Sequence, residues 1–74
     1  MPLKLYSRAE CGLCDEALGL IGELGLIATE IDVEADDGLM AEYGLRIPVV
    51  ADSSGRELGW PFDAEQLADF VAAG

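Results

Sequence analysis

The sequence predicts a small mixed α/β domain whose elements follow one another in the order β-α-β-α-β-β-α. Along the chain, the spacing of the apolar residues alternates between strand-like and helical. A β-α-β start implies two parallel strands joined by a right-handed crossover. The turn residues 52–55, Asp-Ser-Ser-Gly, imply a closing antiparallel hairpin. We therefore expect residues 1–74 to form one domain, with three helices flanking a four-stranded mixed sheet.

The first strand and the first helix are predicted from a change in the spacing of the apolar residues. Residues 3–7 form a short segment with alternating leucines, which is typical of a strand. From Leu13 to Leu24 the apolar spacing is helical, and Gly25 follows as a C-terminal cap residue. The apolar face of this helix is predicted to consist of Leu13, Ala17, Leu20, Ile21 and Leu24.

The middle of the chain predicts a second strand and a short helix. Residues 27–33 alternate, and one face is more polar than the other. The apolar face should carry Ile27, Thr29, Ile31 and Val33. Asp36 and Asp37 then offer an N-cap for a helix that runs through Tyr43 and ends at Gly44.

The last third predicts a hairpin and a final helix. Residues 47–51 form a buried strand that begins with a proline, and residues 56–59 form its short partner. Asp63 caps a helix beginning at Ala64, with Gln66 completing a capping box. Phe62 and Leu67 have the spacing of a hydrophobic staple. Leu67, Phe70 and Val71 should form the buried face of this helix.

The composition excludes several classes of function. The chain has 4 Lys and Arg against 15 Asp and Glu, a formal net charge of −11, which disfavours nucleic acids and anionic membranes as partners. The absence of histidine removes imidazole catalysis and histidine metal ligands. There is no apolar run of membrane-spanning length and no apolar leader, so we expect a cytoplasmic protein with reduced cysteines.

The strongest chemical signal is the pair Cys11 and Cys14, which directly follows the first strand and opens the first helix. At a helix start this spacing brings two sulfurs within disulfide reach, and the free N–H groups and the helix dipole favour a thiolate there. Cys11 would attack a disulfide, and the more buried Cys14 would resolve the mixed disulfide. Packing cysteines, a structural disulfide and half of a zinc site remain alternatives, although one chain lacks four zinc ligands.

Two segments resemble a known family. The stretch of residues 6–15, Tyr-Ser-Arg-Ala-Glu-Cys-Gly-Leu-Cys-Asp, resembles the active-site entry of glutaredoxins and of the wider thioredoxin superfamily. Residues 46–49, Arg-Ile-Pro-Val, resemble the loop that places a cis-proline beside the cysteines there. The resemblance covers essentially the whole chain and is strongest to small glutaredoxin-like proteins of poorly defined role. It implies a thioredoxin-like fold.

The resemblance also implies a substrate site around the cysteines. Pro48 would be cis, and the N–H and C=O groups of Ile47 would stay unpaired within the sheet, available to pair with an extended substrate segment. Arg8 and Arg46 either stabilise the thiolate, bind a substrate carboxylate or are simply solvated. Trp60 either lines the substrate groove or caps the core under the last helix. The expected substrate-binding residues are Arg8, Gly12, Leu13, Arg46, Ile47, Pro48, Gly59 and Trp60.

The expected function is dithiol–disulfide oxidoreductase, an electron-transferring enzyme with no metal and no required cofactor. Its partner would be a protein disulfide or a reductase, of neutral or basic charge, with glutathione as a candidate reductant or co-substrate. The family's glutathione-holding glycine pair is replaced by residues 59–63, Gly-Trp-Pro-Phe-Asp, so we expect weak glutathione-coupled activity. Alternatives are a thioredoxin-fold binding module with incidental or regulatory cysteines, and a dimer bridged by zinc or an iron–sulfur cluster.

Overall fold

The computed structural model describes residues 3–73. Its elements follow the predicted order, with one additional short 3₁₀ helix, Val33–Ala35, before the second α-helix. The strands and α-helices are β1 (Leu3–Ser7), α1 (Gly12–Glu23), β2 (Ala28–Asp32), α2 (Asp37–Tyr43), β3 (Val49–Ala51), β4 (Glu57–Gly59) and α3 (Ala64–Ala73). Within residues 3–73, none of the helices has the length and apolarity needed to cross a membrane.

The four strands form one mixed sheet in the order β2-β1-β3-β4. β1 and β2 are parallel, with Leu3 opposite Ala28, and β1 is antiparallel to β3, with Tyr6 opposite Val49. β3 and β4 form the antiparallel hairpin that the turn residues predict. Because β1 is central, the segment that follows it, including the cysteine pair, emerges from the middle of the sheet.

The main core lies between one face of the sheet and helices α1 and α3. Its buried members are Leu3, Leu5, Ala17, Ile21, Val50, Phe62 and Leu67. On the opposite face Tyr6 stacks on Tyr43 at the end of α2, with ring centroids 4.0 Å apart. Helices therefore cover both faces, as expected.

The predicted apolar face of α1 is wrong at both ends. Leu13 is 47% exposed and Leu24 is 36% exposed, whereas Cys14, Ala17 and Ile21 are buried. Ala17 and Ile21 are buried as predicted, but at the start of the helix the buried position belongs to Cys14, which lies about 100° around the helix axis from Leu13. The sulfur of Cys14 takes the inward position that periodicity assigned to leucine.

β2 is shorter than its sequence pattern implies. Ile27 lies before the strand and is 85% exposed, so its predicted place on the buried face is wrong. The prediction of a buried Val33 is correct, since it is 0% exposed. β2 is an edge strand, and an edge strand has a neighbour on one side only, so fewer contacts cover its ends. β3 and β4 likewise begin two residues and one residue later than expected.

Both predicted helix caps are present. The Asp36 carboxylate accepts hydrogen bonds from the backbone N–H groups of Gly38 and Leu39, at 2.8 and 3.1 Å. At the start of α3, Asp63 and Gln66 each accept the other's backbone N–H, at 2.8 and 2.9 Å, which completes the capping box. These bonds satisfy N–H groups that a helix start leaves without intrahelical partners.

The hairpin turn is built around Asp52, a carboxylate that is only 7% exposed. Its Oδ1 accepts the Ser54 hydroxyl at 2.7 Å and the backbone N–H groups of Ser54 and Arg56 at 2.9 and 3.0 Å. The Ser54 hydroxyl bond is the largest cause of a lowered pKa of Asp52, and the two backbone bonds and the Arg56 charge lower it further. The turn is thus held by an ionised side chain.

This arrangement predicts an acid-sensitive turn. A carboxyl whose folded pKa is lowered stabilises the fold above its unfolded pKa, about 3.9, and loses that contribution as the pH falls through the folded value. We expect Ser54→Ala to lower the melting temperature at pH 7 by a few degrees. The difference from the wild type should shrink as the pH falls below the ordinary carboxyl pKa of about 3.9 and through the lowered pKa of folded Asp52. Ser53→Ala, at the exposed neighbouring serine, is the matched control, and a deficit for Ser54→Ala that is equal at pH 7 and pH 2 would contradict this account.

Candidate active site

Cys11 is the N-cap of α1. Its backbone is extended, with φ −108° and ψ 104°, and its Sγ accepts the backbone N–H of Cys14 at 3.2 Å. Its carbonyl oxygen accepts the first intrahelical hydrogen bond, from the N–H of Asp15, at 3.1 Å. The sulfur therefore occupies the position where an N-cap side chain accepts a backbone hydrogen bond and where the helix dipole favours negative charge.

Cys14 is bonded to Cys11 in a disulfide whose Cα atoms are 5.2 Å apart, within the usual range for such bonds. Cys14 is 5% exposed, whereas Cys11 is partly exposed. Gly12 and Leu13, between them, are exposed. The sequence correctly predicted this pairing and the difference in burial. A partner disulfide can reach Cys11 and not Cys14, which is the asymmetry that an attacking and a resolving thiol need.

Glu10, just before the cysteine pair, is a feature that the sequence did not reveal. Its φ is +57°, in the left-handed region of backbone conformations that residues other than glycine rarely adopt. Such a conformation costs on the order of 1–3 kcal/mol and persists where the surroundings enforce it. Glycine or asparagine at this position would have signalled the turn, but glutamate gives no such signal.

The proline loop lies at the same end of the sheet as the cysteine pair. Tyr6 of β1 pairs with Val49 of β3, so Pro48 lies beside the end of β1. The bond between Ile47 and Pro48 is cis, as the resemblance implies, and Pro48 is buried. The peptide bond between Trp60 and Pro61 is also cis, which the sequence did not predict.

One expectation for this loop is wrong. The backbone N–H of Ile47 donates to the carbonyl of Tyr43 at 3.0 Å, and the N–H of Arg46 donates to the same carbonyl at 2.8 Å. The end of α2 thus occupies the N–H that was expected to be available for substrate. Among residues 3–73, no hydrogen bond reaches the carbonyl of Ile47, so this group alone retains the expected capacity.

Arg46 belongs to a network that ties the proline loop to β4. Its guanidinium donates to Glu57 at 2.9 Å and to Glu42 at 3.4 Å, and it lies 5.2 Å from the centre of the Tyr43 ring. The Tyr43 hydroxyl donates to the other oxygen of Glu57. This hydroxyl, followed by Arg46, lowers the pKa of Glu57, and the same bond raises the pKa of Tyr43. The charge of Arg46 is largely engaged by carboxylates of its own chain.

Arg8 lies on the other side of the cysteine pair. It is exposed and lines a polar cavity of about 330 Å³, together with Ser7, Ala9, Glu10, Asp15, Glu30 and Asp32. Carboxylates therefore outnumber cations around the entry to α1.

Gly59 and Trp60 complete the set of predicted residues. Gly59 ends β4 opposite Val49, next to the proline loop. Trp60 is partly buried, packs against the core and meets the Phe62 ring edge-on, with centroids 5.0 Å apart. Trp60 also lines a groove beside α1. The expected place against the core is therefore confirmed, and its role in a substrate groove stays a prediction.

Comparisons with known proteins agree with this geometry. The model of the glutaredoxin-like domain family (DUF836) matches residues 2–72. The crystal structure of XcR50, a structural genomics target protein from X. campestris, is 40% identical, with a TM-score of 0.92 and 97% of each chain covered. Its solution structure gives a TM-score of 0.91, covering 100% of this chain and 96% of XcR50.

A more distant structure shares the fold alone. A mutant of the thioredoxin-like protein BC3987 is 19% identical, with a TM-score of 0.70, covering 93% of this chain and 97% of its own. No curated protein matches the chain. The small thioredoxin-like fold, the cysteine pair at its helix start and the family match over residues 2–72 together place the chain in the glutaredoxin-like domain family.

Proposed function

We propose that this protein is a dithiol–disulfide oxidoreductase that uses Cys11 and Cys14. The observation that carries the proposal is the hydrogen bond from the Cys14 backbone N–H to the Cys11 Sγ at a helix N-terminus, with Cys14 buried one turn behind. A thiolate at this place is stabilised by the N–H group and the helix dipole, and the thiolate is the attacking form in disulfide exchange. No bound cofactor is required, because the two thiols carry the electrons.

The reaction proceeds in two exchanges. In the first, the Cys11 thiolate attacks one sulfur of the substrate disulfide, forms a mixed disulfide and releases the other sulfur as a thiolate, which takes up a proton. In the second, Cys14 loses its proton and attacks the Cys11 Sγ, expelling the second substrate thiolate, which is then protonated. The substrate gains two electrons and two protons, and the protein is left with the Cys11–Cys14 disulfide present in this structure.

The cycle closes when another thiol reduces this disulfide. Glutathione or a reductase protein can serve, and a reducing compartment such as the cytoplasm suits the cycle. The proline loop, at the same end of the sheet as the cysteine pair, suits an extended protein segment as substrate, because the Ile47 carbonyl can accept a backbone N–H.

The test is a single-turnover reaction with a small neutral disulfide. The reduced protein should convert one equivalent of disulfide to thiols while losing its own two thiols. Equilibration with glutathione redox buffers should give a two-electron potential above about −300 mV, the region of labile rather than structural disulfides. A cysteine pair that reduces nothing, or that stays oxidised far below this potential, would overturn the proposal in favour of a binding module with incidental cysteines.

A further inference from the structure

A groove runs along α1 on the side that faces the segment after β4. Its cavity volume is about 360 Å³, in the range of pockets that hold small ligands or several side chains. Apolar groups form much of its lining: Leu20 from α1, and Trp60 and Phe62 from the segment after β4. Gly19 opens its wall, and a Cβ built there would meet no atom within 4 Å. The groove can therefore accept apolar side-chain atoms from outside.

Three carboxylates line the same groove: Glu16, Glu23 and Asp63. None of them forms an ion pair within residues 3–73. The chain has only four basic residues, and two of these, Arg46 and Arg56, are paired with other carboxylates. The Asp63 carboxylate already caps α3 by accepting the Gln66 N–H, whereas Glu16 and Glu23 carry negative charge that no basic residue pairs with among residues 3–73.

We propose that this groove binds an extended basic segment of the partner protein, which flanks the partner's reactive cysteine. Lysine and arginine fit this combination because their methylene stems pack on an apolar floor while their charged ends reach carboxylates. The indole of Trp60 adds an attraction for a cation above its face. This inference rests on the proposed oxidoreductase function, because the bound segment is taken to belong to the substrate protein. Binding of that segment to the groove itself needs no redox step.

The geometry of α1 determines how many positions from the substrate cysteine the basic residues of the partner should lie. Glu16 lies five residues after Cys11 and Glu23 lies twelve after it, which is about 7.5 and 18 Å along the helix axis at 1.5 Å per residue. An extended chain covers about 3.3 Å per residue. The groove therefore selects for lysine or arginine between about two and six positions from the substrate cysteine.

The first experiment compares two otherwise identical peptides, each carrying one cysteine in a mixed disulfide with a small neutral thiol. One has lysines two to six positions from the cysteine, and the other has glutamates there. We expect reduced protein to react about tenfold or more faster with the lysine peptide at low salt, with the advantage falling as sodium chloride is added. The small neutral disulfide, measured alongside, reports the proposed redox function separately.

Matched variants test whether the groove causes the faster reaction with the lysine peptide. Gly19→Leu places a side chain in the groove, whereas Gly22→Leu changes another open helical glycine that does not line it. Glu16→Gln with Glu23→Gln removes two groove charges, and Glu34→Gln with Asp69→Asn removes two charges elsewhere. The groove variants should reduce the lysine advantage at least about threefold, on the scale of two exposed ion pairs, and the controls should preserve it. A preference that survives both groove variants would arise from the overall charge and would overturn the inference.

Trp60 is the single tryptophan of the chain and gives a readout without redox chemistry. A peptide of lysine and leucine that lacks cysteine, tryptophan and tyrosine should change the Trp60 fluorescence in a saturable way. The same peptide with glutamate in place of lysine should leave the Trp60 fluorescence unchanged. This response without reduction of any disulfide would support the groove and refute the redox function. Equal rates for both peptides, or a flat Trp60 titration with the neutral disulfide still reduced, would refute the groove alone.

Discussion

We expect Cys11→Ser to abolish disulfide reduction and Cys14→Ser to stop the reaction halfway. The partly exposed Cys11 is the sulfur that a substrate can reach, and serine cannot form a disulfide in its place. In Cys14→Ser the first exchange still occurs, but no second thiol is available to release the product. This variant should therefore accumulate a mixed disulfide at Cys11, and intact mass spectrometry would detect one substrate half per chain.

Two controls separate this expectation from general damage to the fold. Both variants lack the internal disulfide, so they should be compared with each other and with the reduced wild type. Limiting alkylation of the reduced wild type should label Cys11 before Cys14, because Cys14 is only 5% exposed. A trapped adduct on Cys14 in the Cys11→Ser variant, with none on Cys11 in Cys14→Ser, would reverse the assigned roles.

The fold was predictable because each element carries a local signal that agrees with its place in the sheet. The Asp63–Gln66 capping box and the Asp36 cap are short-range chemistry, and the structure contains both. The errors concern tertiary contacts. Cys14 and Leu13 point about 100° apart, and at the end of the apolar stripe the spacing of Ala17 and Ile21 is compatible with either as the next inward residue, Leu13 four residues before Ala17 and Cys14 three before it. Nor does periodicity reveal that β2 is an edge strand that leaves Ile27 exposed.

The local features of the candidate site were likewise predictable, and its tertiary contacts were not. The Cys11–Cys14 spacing at a helix start is a local pattern, and the structure places both sulfurs as expected. By contrast, Glu57 binds both Arg46 and Tyr43, which precede it in the chain by 11 and 14 positions respectively. The two contacts of Glu57 exist only after the chain has folded, so no spacing in the sequence predicts them. The bond from the Ile47 N–H to the Tyr43 carbonyl is local, because it spans four residues and continues the turn at the end of α2, but the predicted end of that helix at Gly44 did not include it.

The largest expected effect on stability is that of Leu5→Ala. Leu5 is 0% exposed in the central strand β1, opposite Glu30 of β2 and Val50 of β3. Truncating a buried leucine costs about 2–5 kcal/mol, because contacts are lost and the cavity closes only in part. A domain of 74 residues has a total stability of roughly 4–11 kcal/mol at 0.05–0.15 kcal/mol per residue. This one substitution therefore removes a large share of the free energy of unfolding.

Leu45→Ala is the matched control, because Leu45 is fully exposed and the chemical change is the same. Its cost should stay within about 0.5 kcal/mol. Leu5→Met, which conserves volume, should cost less than about 1.5 kcal/mol and keeps the comparison informative if Leu5→Ala does not fold. Urea unfolding with the disulfide kept oxidised in every variant gives the three free energies. Equal midpoints for Leu5→Ala and Leu45→Ala would mean that β1 does not pack against α1 and α3, and the strand that leads to Cys11 would then be misplaced.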